Sequence, residues 1–121
     1  PTSPLRPKKI LDKAITFFNK KKADSLFSST IFKNHIWMNK EKIKPINYNY
    51  KNRQFEQEKK SSQYNENGSF YIFSAKKFLK YKNRLFGKIT HFEIPYIYSF
   101  QLDEKIDIDI INALFKITAK K

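Results

Sequence analysis

The densest group of chemistry-bearing residues is Gln101-Leu102-Asp103-Glu104-Lys105-Ile106-Asp107-Ile108-Asp109. Four carboxylates stand where a strand end is expected to hand over to a helix. Ligands of open α/β sheets collect outside the carboxyl ends of strands, and a carboxylate there can hold Mg²⁺, a hard cation that favours oxygen. Asp103, ahead of the helix, is the candidate ligand. Asp107 and Asp109 read as first-turn acids that complement the helix dipole. Arg53 can match a carboxylate or phosphate, or stand as a solvated surface charge. His35 and Trp37 could flank a ligand or form a half-buried aromatic pair. The histidines, His35 and His91, share no ligand-like spacing, and there is no cysteine, no Ser-His-Asp pattern and no glycine-rich phosphate loop.

A second stretch stands out by punctuation. Tyr64-Asn65-Glu66-Asn67-Gly68 reads as a polar turn, and Ser69-Phe70-Tyr71-Ile72-Phe73 as the strand it feeds. Phe70 and Ile72 fall on one face of that strand, Tyr71 and Phe73 on the other.

The elements that must position these groups follow in chain order. Residues 1–6 read as a turn, and Pro7 suits the first position of a helix ending near Lys20 to Lys22, with Ile10, Ala14, Phe17 and Phe18 on one face. Leu26 to Phe32 reads as a strand. Residues 33–63 are polar and broken by Pro45, with extended pieces near Ile36-Trp37 and Ile46 to Tyr50. Thirty residues of bare loop do not suit a compact domain, so this excursion is expected to pack on a partner subunit. Ala75 to Tyr81 reads as a helix, Asn83 to Gly87 as a turn, Lys88 to Ile94 as a strand and Tyr96 to Leu102 as another. A final helix carries Ile110, Ile111, Leu114, Phe115 and Ile117, with Lys116, Lys120 and Lys121 at its end. Strands interleaved with helices indicate α/β.

Length and composition bound the function. The 121 residues allow one small domain, and aromatics at 17% can supply its core. The net charge is +14, yet lysine is scattered through every segment, as an AT-rich genome imposes, so no nucleic-acid partner is expected. No membrane span or signal peptide is expected, which makes the cytoplasm the default location. Opening without an initiator Met, the sequence reads as a piece of a longer chain.

These pieces together resemble the acylneuraminate cytidylyltransferases, the CMP-sialic acid synthetase family. The resemblance is carried in order by Pro1-Thr2-Ser3-Pro4-Leu5-Arg6, Asp24-Ser25-Leu26-Phe27-Ser28, Lys44-Pro45-Ile46-Asn47-Tyr48 with Lys51-Asn52-Arg53, Glu66-Asn67-Gly68-Ser69-Phe70-Tyr71-Ile72-Phe73, Asn83-Arg84-Leu85-Phe86-Gly87-Lys88-Ile89, and Ser99-Phe100-Gln101-Leu102-Asp103-Glu104 with Asp107. It implies that residues 1–121 are the C-terminal half of a Rossmann-like nucleotidyltransferase fold, with a mostly parallel sheet and a protruding dimerisation arm at 33–63. The CTP-binding N-terminal half would lie outside this chain. The implied reaction transfers CMP from CTP to a nonulosonic (sialic-type) 2-keto sugar acid and releases pyrophosphate, with Mg²⁺ neutralising phosphate charge. Asp103 matches the main metal aspartate, with Asp107 beside it. Arg6, Arg53, Glu66, Asn67, Gly68 and Gln101 match substrate-binding positions, Arg53 on the arm of a homodimer. Two departures stand out. Phe55-Glu56-Gln57-Glu58 replaces an Arg-Arg-Gln-Asp segment, where an acid would repel a sugar carboxylate. Gln101 stands where many members carry Asp. A non-catalytic remnant or dimerisation module of such an enzyme and a basic nucleic-acid-binding protein are the alternatives.

Overall fold

The computed structural model describes residues 2–52 and 62–119. It is a mixed α/β structure. The chain divides into two compact units, one running to Thr30 and resuming at Asn65, the other being Ile31–Tyr64.

The first unit is built on a three-stranded sheet. Strand β1 (Ser25–Phe32) lies in the middle, between β4 (Gln63–Phe73) and β5 (Ile89–Glu93). β1 and β5 are parallel, in register from Ser25 opposite Ile89 to Ser29 opposite Glu93, and the sheet as a whole is mixed rather than mostly parallel. Helix α1 (Ile10–Lys21) packs beside β5 through Ile10 and Ala14, which meet Leu26, Phe70 and Ile94 in the core. Its apolar residues recur at helical spacing, which directs one stripe inward. The helix begins at Ile10 and not at Pro7. A hydrogen-bonded turn from Pro7 to Ile10 comes first, and Lys9 takes a left-handed φ of 58°. Lys22 (φ 48°) ends α1 in the same conformation, and Lys82 (φ 50°) ends α2 (Ala75–Tyr81) likewise.

β1 is central yet hydroxyl-rich. Ser25, Ser28, Ser29 and Thr30 are all buried, and three of their hydroxyls tie the strand to its neighbours. Ser25 Oγ donates to Phe86 O (2.8 Å) and accepts from Phe86 N–H (3.0 Å). Ser28 joins the strand to β4, and Ser29 Oγ lies 2.8 Å from His91 Nδ1. A buried hydroxyl with its bonds made is tolerated where an unpaired one is costly.

The turn after α2 is tight. Gly87 has φ 60°, and a Cβ there would lie 2.8 Å from Asp24 Cβ. Asp24 uses the space, accepting from Lys88 N–H (2.8 Å) and pairing with Lys77. The Lys77 ammonium first, then the Lys88 amide, holds the Asp24 carboxyl below its ordinary range. On the other side of β4 from the core, Phe73 stacks on Phe78 of α2.

Three segments differ from the sequence reading. Residues 64–68 are no turn, because β4 runs through them from Gln63. Tyr96–Tyr98 is a 3-10 turn rather than a strand, closed by Tyr98 N–H on Pro95 O (2.9 Å) and Ser99 Oγ on Tyr96 O (2.7 Å). Local bonds satisfy that backbone, so it needs no ladder partner. Helix α3 (Lys105–Thr118) has Asp107 in its first turn, whereas Asp109 falls in the second.

The second unit is a hairpin. β2 (Trp37–Asn39) pairs antiparallel with β3 (Ile43–Pro45), so the second extended piece lies at 43–45 and not at 46–50. Asn47 fastens its base, accepting from Ile36 N–H (2.8 Å) and donating to Asn34 O (2.8 Å) and Gln63 Oε1 (2.9 Å). His35 and Tyr48 pack ring to ring at 4.1 Å, and Trp37 meets Tyr50 at 5.7 Å. No helix among the described residues is long and apolar enough to cross a membrane.

Candidate functional site

β4 changes phase at Gly68. Its φ of 65° is the left-handed conformation of a bulge residue, and one such residue switches the side to which the strand's side chains point. A regular pleat puts residues five apart on opposite faces. Here the Tyr71 hydroxyl donates to Glu66 Oε1, which the phase change permits. The Arg84 guanidinium covers the Tyr71 ring at 4.2 Å. Partial burial, and then the Glu66 carboxylate, push the Tyr71 phenol up.

Asn67, 1% exposed, is the best-enclosed polar side chain of this strand. Its Oδ1 accepts from Ser28 Oγ (2.6 Å) and from Ser69 N–H (3.2 Å). An N–H can only donate, so the amide orientation is set by its partners. Ser28 Oγ in turn accepts from Phe70 N–H at 3.0 Å. The other end of the amide, Nδ2, is buried without a partner among the described residues, as is Ser3 Oγ.

Residues distant in sequence meet here. Gln101 Nε2 donates to Asn67 O (2.6 Å), and Gln101 Oε1 accepts from Thr2 Oγ1 (3.1 Å). Leu102 N–H donates to Thr2 O (2.7 Å). The Arg6 guanidinium donates through Nη2 to Ser69 O at 2.7 Å. A Cβ on Gly68 would come within 3.1 Å of Gln101 Nε2, so the strand's bare backbone lets the amide approach. Arg6, Asn67, Gly68 and Gln101 are thus gathered into one place. What the cluster offers a ligand is the Arg6 guanidinium, while Asn67 Nδ2 is enclosed within it. That chemistry suits the oxygen atoms of a carboxylate, hydroxyl or phosphate.

The acidic residues are arranged differently. Glu66 is exposed beside Tyr71. Asp107 closes a capping box with Glu104, its Oδ2 accepting from Glu104 N–H (2.7 Å) and Asp103 N–H (2.9 Å). Those amides, Glu104 first, hold its carboxyl below the ordinary value of 3.8. A depressed carboxylate stabilises the fold above its unfolded pKa and loses that contribution as pH falls through the folded one. Asp107→Ala is therefore expected to lower Tm by a few degrees at about pH 7, and the difference should be smaller at about pH 3. Thermal melts followed by circular dichroism at both pH values check it.

Asp103 is exposed, and its carboxylate makes no hydrogen bond or ion pair among the described residues. No group of three or more His, Cys, Asp or Glu there could hold a metal by itself. Mg²⁺ is commonly held by one or two carboxylates together with substrate phosphates, and Asp103 fits that donor pattern. Arg53 and the Phe55-Glu56-Gln57-Glu58 segment lie outside the described residues. Sequence reasoning quoted Thr2, Ser28 and Ser69 only within motifs and gave none of them a role in the site.

Comparison with known proteins finds no family model and no curated protein that matches the chain.

Proposed function

We propose that the chain forms the sugar-acid side of a CTP-dependent cytidylyltransferase acting on a sialic-type 2-keto acid. The observation that supports this reading is the meeting of Arg6, Asn67 and Gln101, three positions from three separate resembling motifs, around the bare backbone of Gly68. Under this reading the Arg6 guanidinium binds oxygens of the sugar acid, and Asn67, enclosed beside it, holds the Gly68 backbone that borders the sugar. Asp103 would hold Mg²⁺, which when bound neutralises phosphate charge as the anomeric hydroxyl attacks the α-phosphate of CTP. The Rossmann-like half-fold, the cytoplasmic location and the homodimer belong to the same proposal. A dimer arm at 33–63 is favoured by Trp37, Met38 and Ile43, apolar side chains of the hairpin that stand exposed. A non-catalytic dimerisation module would share that feature.

Titration of the isotopically labelled 121-residue chain with N-acetylneuraminic acid tests the reading by nuclear magnetic resonance. The Asn67 side-chain amide signals are expected to shift, together with the Ser69 and Gln101 backbone signals. Saturation without movement of the Asn67 amide would overturn it. With CTP and Mg²⁺ added, the same sample is expected to release no pyrophosphate, since the resemblance assigns the phosphate grip to the N-terminal half of the family.

A further inference from the structure

Helix α3 carries two apolar stripes. Ile111 and Leu114 face the unit it belongs to, Ile111 being buried and Leu114 half-buried. Ile106, Ile110, Ala113 and Ile117 form another. At 100° per residue these four fall within an arc of about 60° and lie about a quarter-turn from the buried stripe. All four are exposed: Ile106 by 59%, Ile110 by 39% and Ile117 by 51%. Their spacing of four, three and four residues is that of a coiled-coil seam, in which apolar knobs fill holes on a facing helix.

We propose that this stripe is a self-association surface on which α3 of a second copy packs antiparallel. Two properties select that occupant. The spacing reads the same in both directions, so reversing one helix sets Ile110 beside the partner's Ala113 and Ile106 beside the partner's Ile117. The charges beside the stripe are complementary under the same reversal. Asp109 and Lys116 border it on the solvent side, and neither makes an ion pair among the described residues. Antiparallel pairing brings each Asp109 to the other copy's Lys116, twice by symmetry, whereas parallel pairing would put the two Asp109 on opposite flanks of the seam, where neither meets a Lys116. An isologous contact of this kind needs only one self-complementary patch. Two helices of 14 residues, each about 21 Å long, bury less than the roughly 1,200 Å² typical of stable interfaces. The association is therefore weak, with micromolar or poorer affinity. It is separate from the hairpin and does not depend on the enzymatic reading.

Sedimentation velocity over a concentration series tests it with charge reversal. Asp109→Lys and Lys116→Asp, each alone, should weaken the self-association at least tenfold. An equimolar mixture of the two single variants should restore it, because in the mixed pair every lysine meets an acid. Restoration on mixing cannot come from misfolding, and circular dichroism of each variant confirms the helix. The absence of cysteine provides a second readout. Ile110→Cys mixed with Ala113→Cys should give the mixed disulfide on mild oxidation, in preference to the Ile110→Cys homodimer. Three results would overturn the proposal: a wild-type chain that shows no self-association at millimolar concentration, an association indifferent to both reversals, or preferential Ile110→Cys homodimers, which would mean parallel pairing.

Discussion

Asn67→Ala is expected to lower the unfolding free energy by about 2–3 kcal/mol. Removing Oδ1 strips the acceptor from the Ser28 hydroxyl and the Ser69 N–H, both inside the structure. An orphaned buried donor costs about 1–3 kcal/mol. Part of that loss is offset, because the unpartnered Nδ2 leaves with the side chain. Urea unfolding of the variant at neutral pH measures the net. Asn67→Asp is the sharper companion. It keeps an acceptor toward Ser28 and Ser69 and places an acid where Nδ2 was. Burial raises a carboxyl's pKa, so this variant should be closest to wild type below about pH 4 and lose stability as pH rises through the raised value. A deficit independent of pH between about 4 and 8 would mean that the Asn67 amide is open to water.

Gly87→Ala is the second large effect, again about 2–3 kcal/mol. A left-handed φ costs an alanine about 1 kcal/mol by itself. The larger share is steric. The new Cβ would lie 2.7 Å from Asp24 Cγ and 2.8 Å from Asp24 Cβ, so more than the tip of that side chain must move. Moving it gives up the bond from Lys88 N–H and the pairing with Lys77. The partly exposed ion pair adds little, and the backbone bond matters more. A double-mutant cycle isolates the collision. With Asp24→Gly already in place, which removes the colliding Cβ as well, Gly87→Ala should cost only its conformational share. Full additivity by urea denaturation would show that the two residues do not collide.

The legible parts of the molecule are those where one local rule decides. Ala75–Tyr81 is the helix its residues suggest. Phe70 and Ile72 face the core while Tyr71 meets Arg84 and Phe73 meets Phe78, as strand alternation requires. Alternation worked there because those residues all follow Gly68. Upstream the turn reading failed for a physical reason. Asn65, Asn67 and Gly68 are turn residues by local preference, yet the adjoining strand supplies partners that hold the segment extended. Propensity yields to tertiary bonds of this kind. The buried serines of β1 were illegible for a related reason, since a hydroxyl's burial depends on an acceptor remote in sequence: Phe86 for Ser25, Asn67 for Ser28. Of the site, Arg6, Asn67, Gly68 and Gln101 could be named from motifs. That Gln101 bonds to the carbonyl of Asn67 could not be read, because 34 residues separate them.

The three left-handed lysines have a consequence for how far this molecule stands from its own stability ceiling. Both glycines of the chain are already used at positive φ, so Lys9, Lys22 and Lys82 bend the backbone there without one. Each holds roughly 1 kcal/mol of conformational strain. All three are exposed, and two of them close helices at the position glycine most often fills. The protein thus keeps a reserve at its surface. Exchanging these lysines for glycine would release strain, reduce the crowding of positive charge, and leave the core, the Asn67 cluster and the α3 seam untouched.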